Sequence, residues 1–219
     1  MPLIRIYPYV APLVLAPLSF WLWWGEYGNW PQVLVAWLIP VLWAYIVPGV
    51  GTNICGVWEF DARWKLGRFR PQHGFVFGSA TASLAWLLHG QPAQSVGDVL
   101  RYAVVLCSVL GFWNFLYEVR ALQSGMLKVY NQPWADGRGE EAIVFDYAPW
   151  FFGGFGAAYG LLVAGLEYFV HRQGLPGPWL TAAVVLGGLA GCIALPVFGF
   201  IRQSRRKHGH PGTRPVFRE

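Results

Sequence analysis

Six long stretches of this chain carry almost no charge, and that restricts its fold more than any other feature. Five are free of Asp, Glu, Lys and Arg: Ile6–Gly25, Tyr27–Trp58, Pro71–Gly97, Tyr147–Leu166 and Gln173–Ile201. A sixth, Tyr102–Tyr117, reaches spanning length when Val99 and Leu100 join it and Arg101 snorkels outward. About 20 apolar residues in a helix cross the hydrocarbon core of a bilayer. Lipid offers the backbone no hydrogen bonds, so each run must satisfy its own N–H and C=O groups as a helix. The expected fold is an all-α polytopic integral membrane protein. It is a six-transmembrane-helix bundle with helices at roughly 7–24, 31–50, 74–90, 99–117, 147–169 and 178–201. Residues 1–201 form this membrane domain, and 202–219 form a basic tail that is expected to be disordered alone.

Composition supports a membrane environment. Charged residues make up 12 % of the chain, about half of what coats an ordinary soluble domain. The 13 Trp and 10 Tyr suit the zone where an apolar bundle meets wet headgroups. The first run is preceded by Arg5 but lacks a small-x-small cleavage site and ends in Trp21–Leu22–Trp23–Trp24, so it reads as retained. Cys55, Cys107 and Cys192 are isolated, which argues against a disulfide framework or a zinc site.

The loops give the orientation. Of the 16 Lys and Arg, all but Arg101 and Arg172 fall on one side of a six-helix arrangement. Positive loops stay in the cytoplasm, so both termini are expected there, in a bacterial-type inner membrane. The net charge of +5 lies between apolar runs and in the tail. Anionic lipid headgroups therefore fit as partners, and nucleic acid does not.

Pro12, Pro17, Pro40 and Pro48 are expected to bend helices 1 and 2. Helix 2 is expected to end near Pro48–Gly51, before a re-entrant or interfacial Thr52–Trp58. Gly156 with Gly160 and Gly187 with Gly191 have close-packing spacing and suggest that helices 5 and 6 pack together. Gly56–Val57–Trp58–Glu59–Phe60 and Gly111–Phe112–Trp113–Asn114–Phe115 echo each other, each followed by an acid, one residue and Arg. Duplication and convergence both account for the echo.

The polar chemistry sits at the basic side. Glu59, Asp61 and Glu118 are candidate acid–base or metal-binding carboxylates, with Asn114 one turn deeper on the Glu118 face. Arg63, Arg68, Arg70 and Arg120 are candidates for holding an anion or headgroup. The plainer alternative is an ion-paired boundary, with Glu59 and Arg63 paired four apart on a helix. His73, His89 and His171 lie near helix ends, where one could ligate a metal or pigment. None is placed to share a haem across the bilayer centre. Glu167, near His171, reads as a snorkelling interfacial carboxylate. HExxH, P-loop and GxSxG patterns are absent.

Asn53 with Trp58–Glu59 resembles the Asn-Trp-Glu segment of small membrane-bound terpene cyclases. The spacing differs, and the acidic residue which that family places in its last helix is missing, so no function is carried over. Three function classes remain. An accessory or scaffolding subunit of a larger, energy-transducing membrane complex is favoured by the absence of a catalytic signature. A small membrane enzyme acting on a lipid or isoprenoid at the cytoplasmic face is the second. A transporter or solute-binding component is the third.

Overall fold

The structure is a computed structural model that describes residues 2–217, with side chains from Ile6 onward. Arg218 and the side chain of Arg5, both counted above as basic-side charges, lie outside what is described. The helices are α1 (Pro2–Tyr27), α2 (Trp30–Asn53), α3 (His73–Leu87), α4 (Val96–Gln123), the short α5 (Gln132–Ala135) and α6 (Glu140–Phe145), α7 (Pro149–Gln173) and α8 (Pro178–His208). Two short strands, β1 (Trp58–Phe60) and β2 (Leu127–Val129), pair antiparallel with Glu59 opposite Lys128.

Five helices are long and apolar enough to cross a membrane: α1, α2, α4, α7 and α8. The sixth expected span, at roughly 74–90, corresponds to α3. It has 15 residues, which at the helical rise is about 22 Å against a core of about 30 Å. It stops at Leu87 because the chain turns at Gly90, whose φ of +75° only glycine adopts freely. α3 packs between α1 and α2. Its small residues allow that: a Cβ on Gly78 would lie 2.4 Å from the Val41 Cα.

The prolines act as cross-links more than as breaks. Pro40 has no N–H to give the Ala36 carbonyl four residues back. The helix widens there into a π-turn over Leu34–Leu38, and the Ala36 carbonyl accepts the Tyr159 hydroxyl of α7. Pro196 in α8 likewise frees the Cys192 carbonyl, which accepts the Trp43 indole N–H of α2 at 3.0 Å. Two proline-orphaned carbonyls thus bind α2 to α7 and to α8. Helix α2 runs past Pro48 to Asn53 without a re-entrant segment.

A long, close seam joins α4 and α7. A Cβ on Gly156 would lie 2.5 Å from the Leu106 carbonyl oxygen, and one on Gly160 would lie 2.7 Å from the Ala103 Cα. The α7 glycines therefore face α4, not the last helix as expected. Gly187 and Gly191 meet nothing within 4 Å. Helices α7 and α8 do pack, but through Gly188 against Leu162 and Gly199 against Trp150.

The basic end is capped by the hairpin and the C-terminal segment. α8 continues beyond Ile201 to His208 and ends on a left-handed Gly209. The chain then folds back: Ser204 donates to the His210 carbonyl at 2.9 Å, and the Val216 N–H donates to the Tyr130 carbonyl at 2.9 Å. The segment expected to be disordered is packed on the cap. The Gly-x-Trp echo has no counterpart in shape, since Trp58 is on a strand and Trp113 is inside α4.

Candidate functional site

Four elements meet beneath the bundle at the basic end. Glu118, near the end of α4, is 7 % exposed. Tyr147 precedes α7, and its hydroxyl donates to Glu118 Oε2 at 2.7 Å. His73 opens α3. β1 supplies Trp58 and Phe60 from one face, because side chains alternate along a strand. With Trp43, Phe77, Phe151 and Phe152 these residues enclose a cavity whose carboxylate is Glu118. It offers about 40 Å³ to the centres of water-sized spheres, room for one or a few waters.

A larger apolar groove adjoins this cavity and shares Val47, Trp58, Tyr147 and Phe151 with it. By the same measure it holds about 230 Å³. Its sides are Ile46 and Val50 of α2 and Ile193 and Val197 of α8, and Gly212 and Thr213 of the folded-back segment close one end. Ile46 and Val50 remain 39 % and 40 % exposed on its rim.

The structure separates the other candidate carboxylates from Glu118. The strand alternation that turns Trp58 and Phe60 inward turns Glu59 outward, where it accepts from Tyr130 at 3.0 Å and pairs with Lys65 at 3.8 Å. The expected Glu59–Arg63 helical pair is corrected accordingly, since a strand does not bring residues four apart onto a helical face. Burial and the neighbouring Glu59 hold the Tyr130 phenol above its ordinary range. Asp61 is exposed beside Arg63 and Arg70. Asn114 bonds back to its own helix at Leu110, 2.9 Å, and does not line the cavity.

The arginines also divide. Arg68 is exposed and donates to the Gly56 carbonyl at 3.0 Å, and exposed Arg120 donates to Gln123 at 3.2 Å. Arg70 is buried at 3 % exposure. Its Nη2 lies 3.4 Å from His73 Nδ1, and its guanidinium sits 4.6 Å from the Phe60 ring centre. A guanidinium only donates, so His73 Nδ1 faces it as the acceptor, which puts the ring proton of neutral His73 on Nε2.

At the opposite end, residues read as interfacial from sequence form a second buried cluster. Glu167 Oε1 accepts from the Tyr27 hydroxyl and lies 2.5 Å from His89 Nε2, while Oε2 accepts from the Ala93 N–H at 2.9 Å. Glu26 approaches His89 Nδ1 at 3.7 Å. His89 and Glu167 are each 3 % exposed. His171, the third candidate histidine, is exposed on the last turn of α7.

Sequence reasoning missed Tyr147, Trp43 and Phe151 as walls of the site, and the His89–Glu167 pair. Tyr147 and Phe151 are four apart on one helical face, a signal too common in apolar helices to single them out. Glu167 and His89 are 78 residues apart, so no local spacing joins them. No protein-family model, curated protein or solved structure matches this chain.

Chemically, the cavity at the basic end joins one buried carboxyl, engaged by Tyr147 through a single oxygen, to aromatic faces that favour positive charge. That set can give or take a proton at an apolar guest and shield the guest from bulk water.

Proposed function

We propose that this protein is a small membrane enzyme acting on a lipid-like or isoprenoid molecule, with Glu118 as the proton-transferring group. The observation that carries this reading is the buried Glu118–Tyr147 pair in an aromatic cavity that abuts an apolar groove. An accessory subunit has no use for a carboxyl buried against so little polar compensation, since burying such a group is costly. In this reading the apolar tail of the substrate lies in the groove between α2 and α8, entering sideways from the bilayer. Its reacting end reaches past Trp58 to Glu118. Tyr147 holds the carboxyl in place, and the aromatic walls stabilise charge that develops on the substrate.

The proposed setting is an inner membrane of bacterial type with both termini in the cytoplasm and α3 as a short sixth crossing. The uneven distribution of Lys and Arg supports it. Cysteines placed at Ser124 and Gly209 label from the cytoplasm, and cysteines at Gln94 and Gln173 from the other side. Labelling of Gln94 and Ser124 from the same side breaks this topology.

The functional test is a comparison of membrane lipid extracts incubated with the purified protein and with Glu118→Gln. Mass spectrometry is expected to show an apolar species converted by the wild type and left intact by the variant, with both proteins melting at similar temperatures. Identical extracts, together with a native particle that is a fixed heteromer, favour the accessory-subunit reading instead.

A further inference from the structure

Arg70 lines a third pocket, which shares no lining residue with the aromatic cavity. Pro8 and Tyr9 of α1 form one wall, and Asp61, Ala62, Arg63, Arg70 and Met126 form the rest. It offers about 190 Å³ to the centres of water-sized spheres. Arg70 reaches it from inside the protein and Arg63 from the exposed loop.

Arg70 is the informative residue. It is 3 % exposed, yet among the described residues no carboxylate lies within ion-pair distance of it. Glu118 feels its charge from farther off. The Nε–H of Arg70 and the buried hydroxyl of Tyr117 each lack a partner in good hydrogen-bond geometry, and the one polar group each has within reach on that side is the other. A guanidinium loses much of its hydration on burial, and natural structures offset that with a counter-ion and matched acceptors. Here the Phe60 ring face, one long contact to His73 and the neighbouring Tyr117 hydroxyl stand in their place. The missing partner is an anion with several acceptor oxygens, because a guanidinium fork matches phosphate and carboxylate geometry.

We propose that this pocket binds an oxyanion of the phosphate class, held by Arg70 from within and by Arg63 at the mouth. Asp61 on the rim disfavours a fully ionised ligand close to it and places the anion towards Arg70. The site shares no residue with the Glu118–Tyr147 pair, so it stands whether or not that cavity is catalytic. The oxyanion can be the headgroup of a membrane phospholipid or a free phosphate or diphosphate.

The test uses the full chain in two forms. In detergent, thermal unfolding is followed while sodium phosphate or pyrophosphate is titrated against sodium chloride of matched ionic strength. In nanodiscs of phosphatidylcholine with or without phosphatidic acid, native mass spectrometry reads which lipid is retained. The variants are Arg70→Gln, Arg63→Gln and, as an exposed arginine outside the pocket, Arg120→Gln. Arg63 is on an exposed loop, so its variant folds even where Arg70→Gln does not. The expected result is selective stabilisation by phosphate or pyrophosphate, or selective retention of phosphatidic acid. The apparent affinity weakens at least about tenfold in Arg63→Gln, as loss of a charge-assisted contact predicts, and is unchanged in Arg120→Gln. A response in the salt titration alone identifies a soluble ligand, and retention of phosphatidic acid alone identifies a headgroup. Two results overturn the proposal. One is a wild type that treats phosphate like chloride and phosphatidic acid like phosphatidylcholine. The other is an equal loss in Arg120→Gln, which marks bulk electrostatics.

Discussion

Glu167 at one end of the bundle and Glu118 at the other are both buried, and the two carboxylates are held differently. Glu167 is gripped by Tyr27 of α1 and by His89 and the Ala93 backbone from the turn and loop that follow α3. Glu118 has the Tyr147 hydroxyl and a cavity wall. A carboxylate surrounded by donors from several elements works as a joint, because removing it orphans every donor at once. A carboxylate with one donor and open space beside it contributes little to the fold and is free to act on something else.

Replacement by leucine tests that contrast most directly. Glu167→Leu leaves a tyrosine hydroxyl, a histidine and an amide without their acceptor, at a cost of about 3 kcal/mol or more. The melting temperature in detergent is expected to fall sharply, and a melt like that of the wild type removes the joint. Gly160→Leu comes next. It strikes the seam between α4, which carries Glu118, and α7, which carries Glu167, by forcing a side chain into the Ala103 backbone. Overpacking of this kind costs about 2 kcal/mol. Gly187→Leu, facing open space, is the paired control with an unchanged melt. If the two glycines behave alike, α7 does not seat on α4 as described.

Glu118→Leu has a smaller effect than Glu167→Leu or Gly160→Leu. It fills an aromatic cavity with an aliphatic group and releases one hydroxyl, so stability stays within about 1 kcal/mol of the wild type. A loss as large as that of Glu167→Leu erases the difference between the ends and makes Glu118 structural as well.

The sequence carried the bundle more fully than the site. Charge-free runs located every long helix, since only helices satisfy the backbone in lipid, but α4 and α8 run on through charged residues to Gln123 and His208, past their expected ends at 117 and 201. α3 fell short because Gly90 allows an early turn that hydropathy does not register. Proline positions were legible, but their use was not. Ala36 and Cys192 gain partners 123 and 149 residues away, and no local pattern encodes such pairings. Glu118 was legible as an acid at a helix boundary. Its separation from Glu59 came from a three-residue strand too short to announce itself, and that strand also brought Trp58 and Phe60 inward. Arg70 and Arg68 look alike in sequence, yet one is buried and the other exposed. Glu167 was misjudged because proximity to His171 in the chain suggested a surface pair, whereas its partner is His89.

The groove also has an order of assembly. Its α2 wall is made early, but Ile193, Val197, Phe200, Ile201, Gly212 and Thr213 leave the ribosome after every other part of its lining. Until α8 inserts and the following segment bonds to Tyr130, the earlier helices sit in the bilayer with Trp58 and Tyr147 uncovered on that side. Occupancy of the groove therefore reports that synthesis has passed residue 213. A ligand that fits it would tell complete chains from those cut short within α8, even though both could reach the membrane.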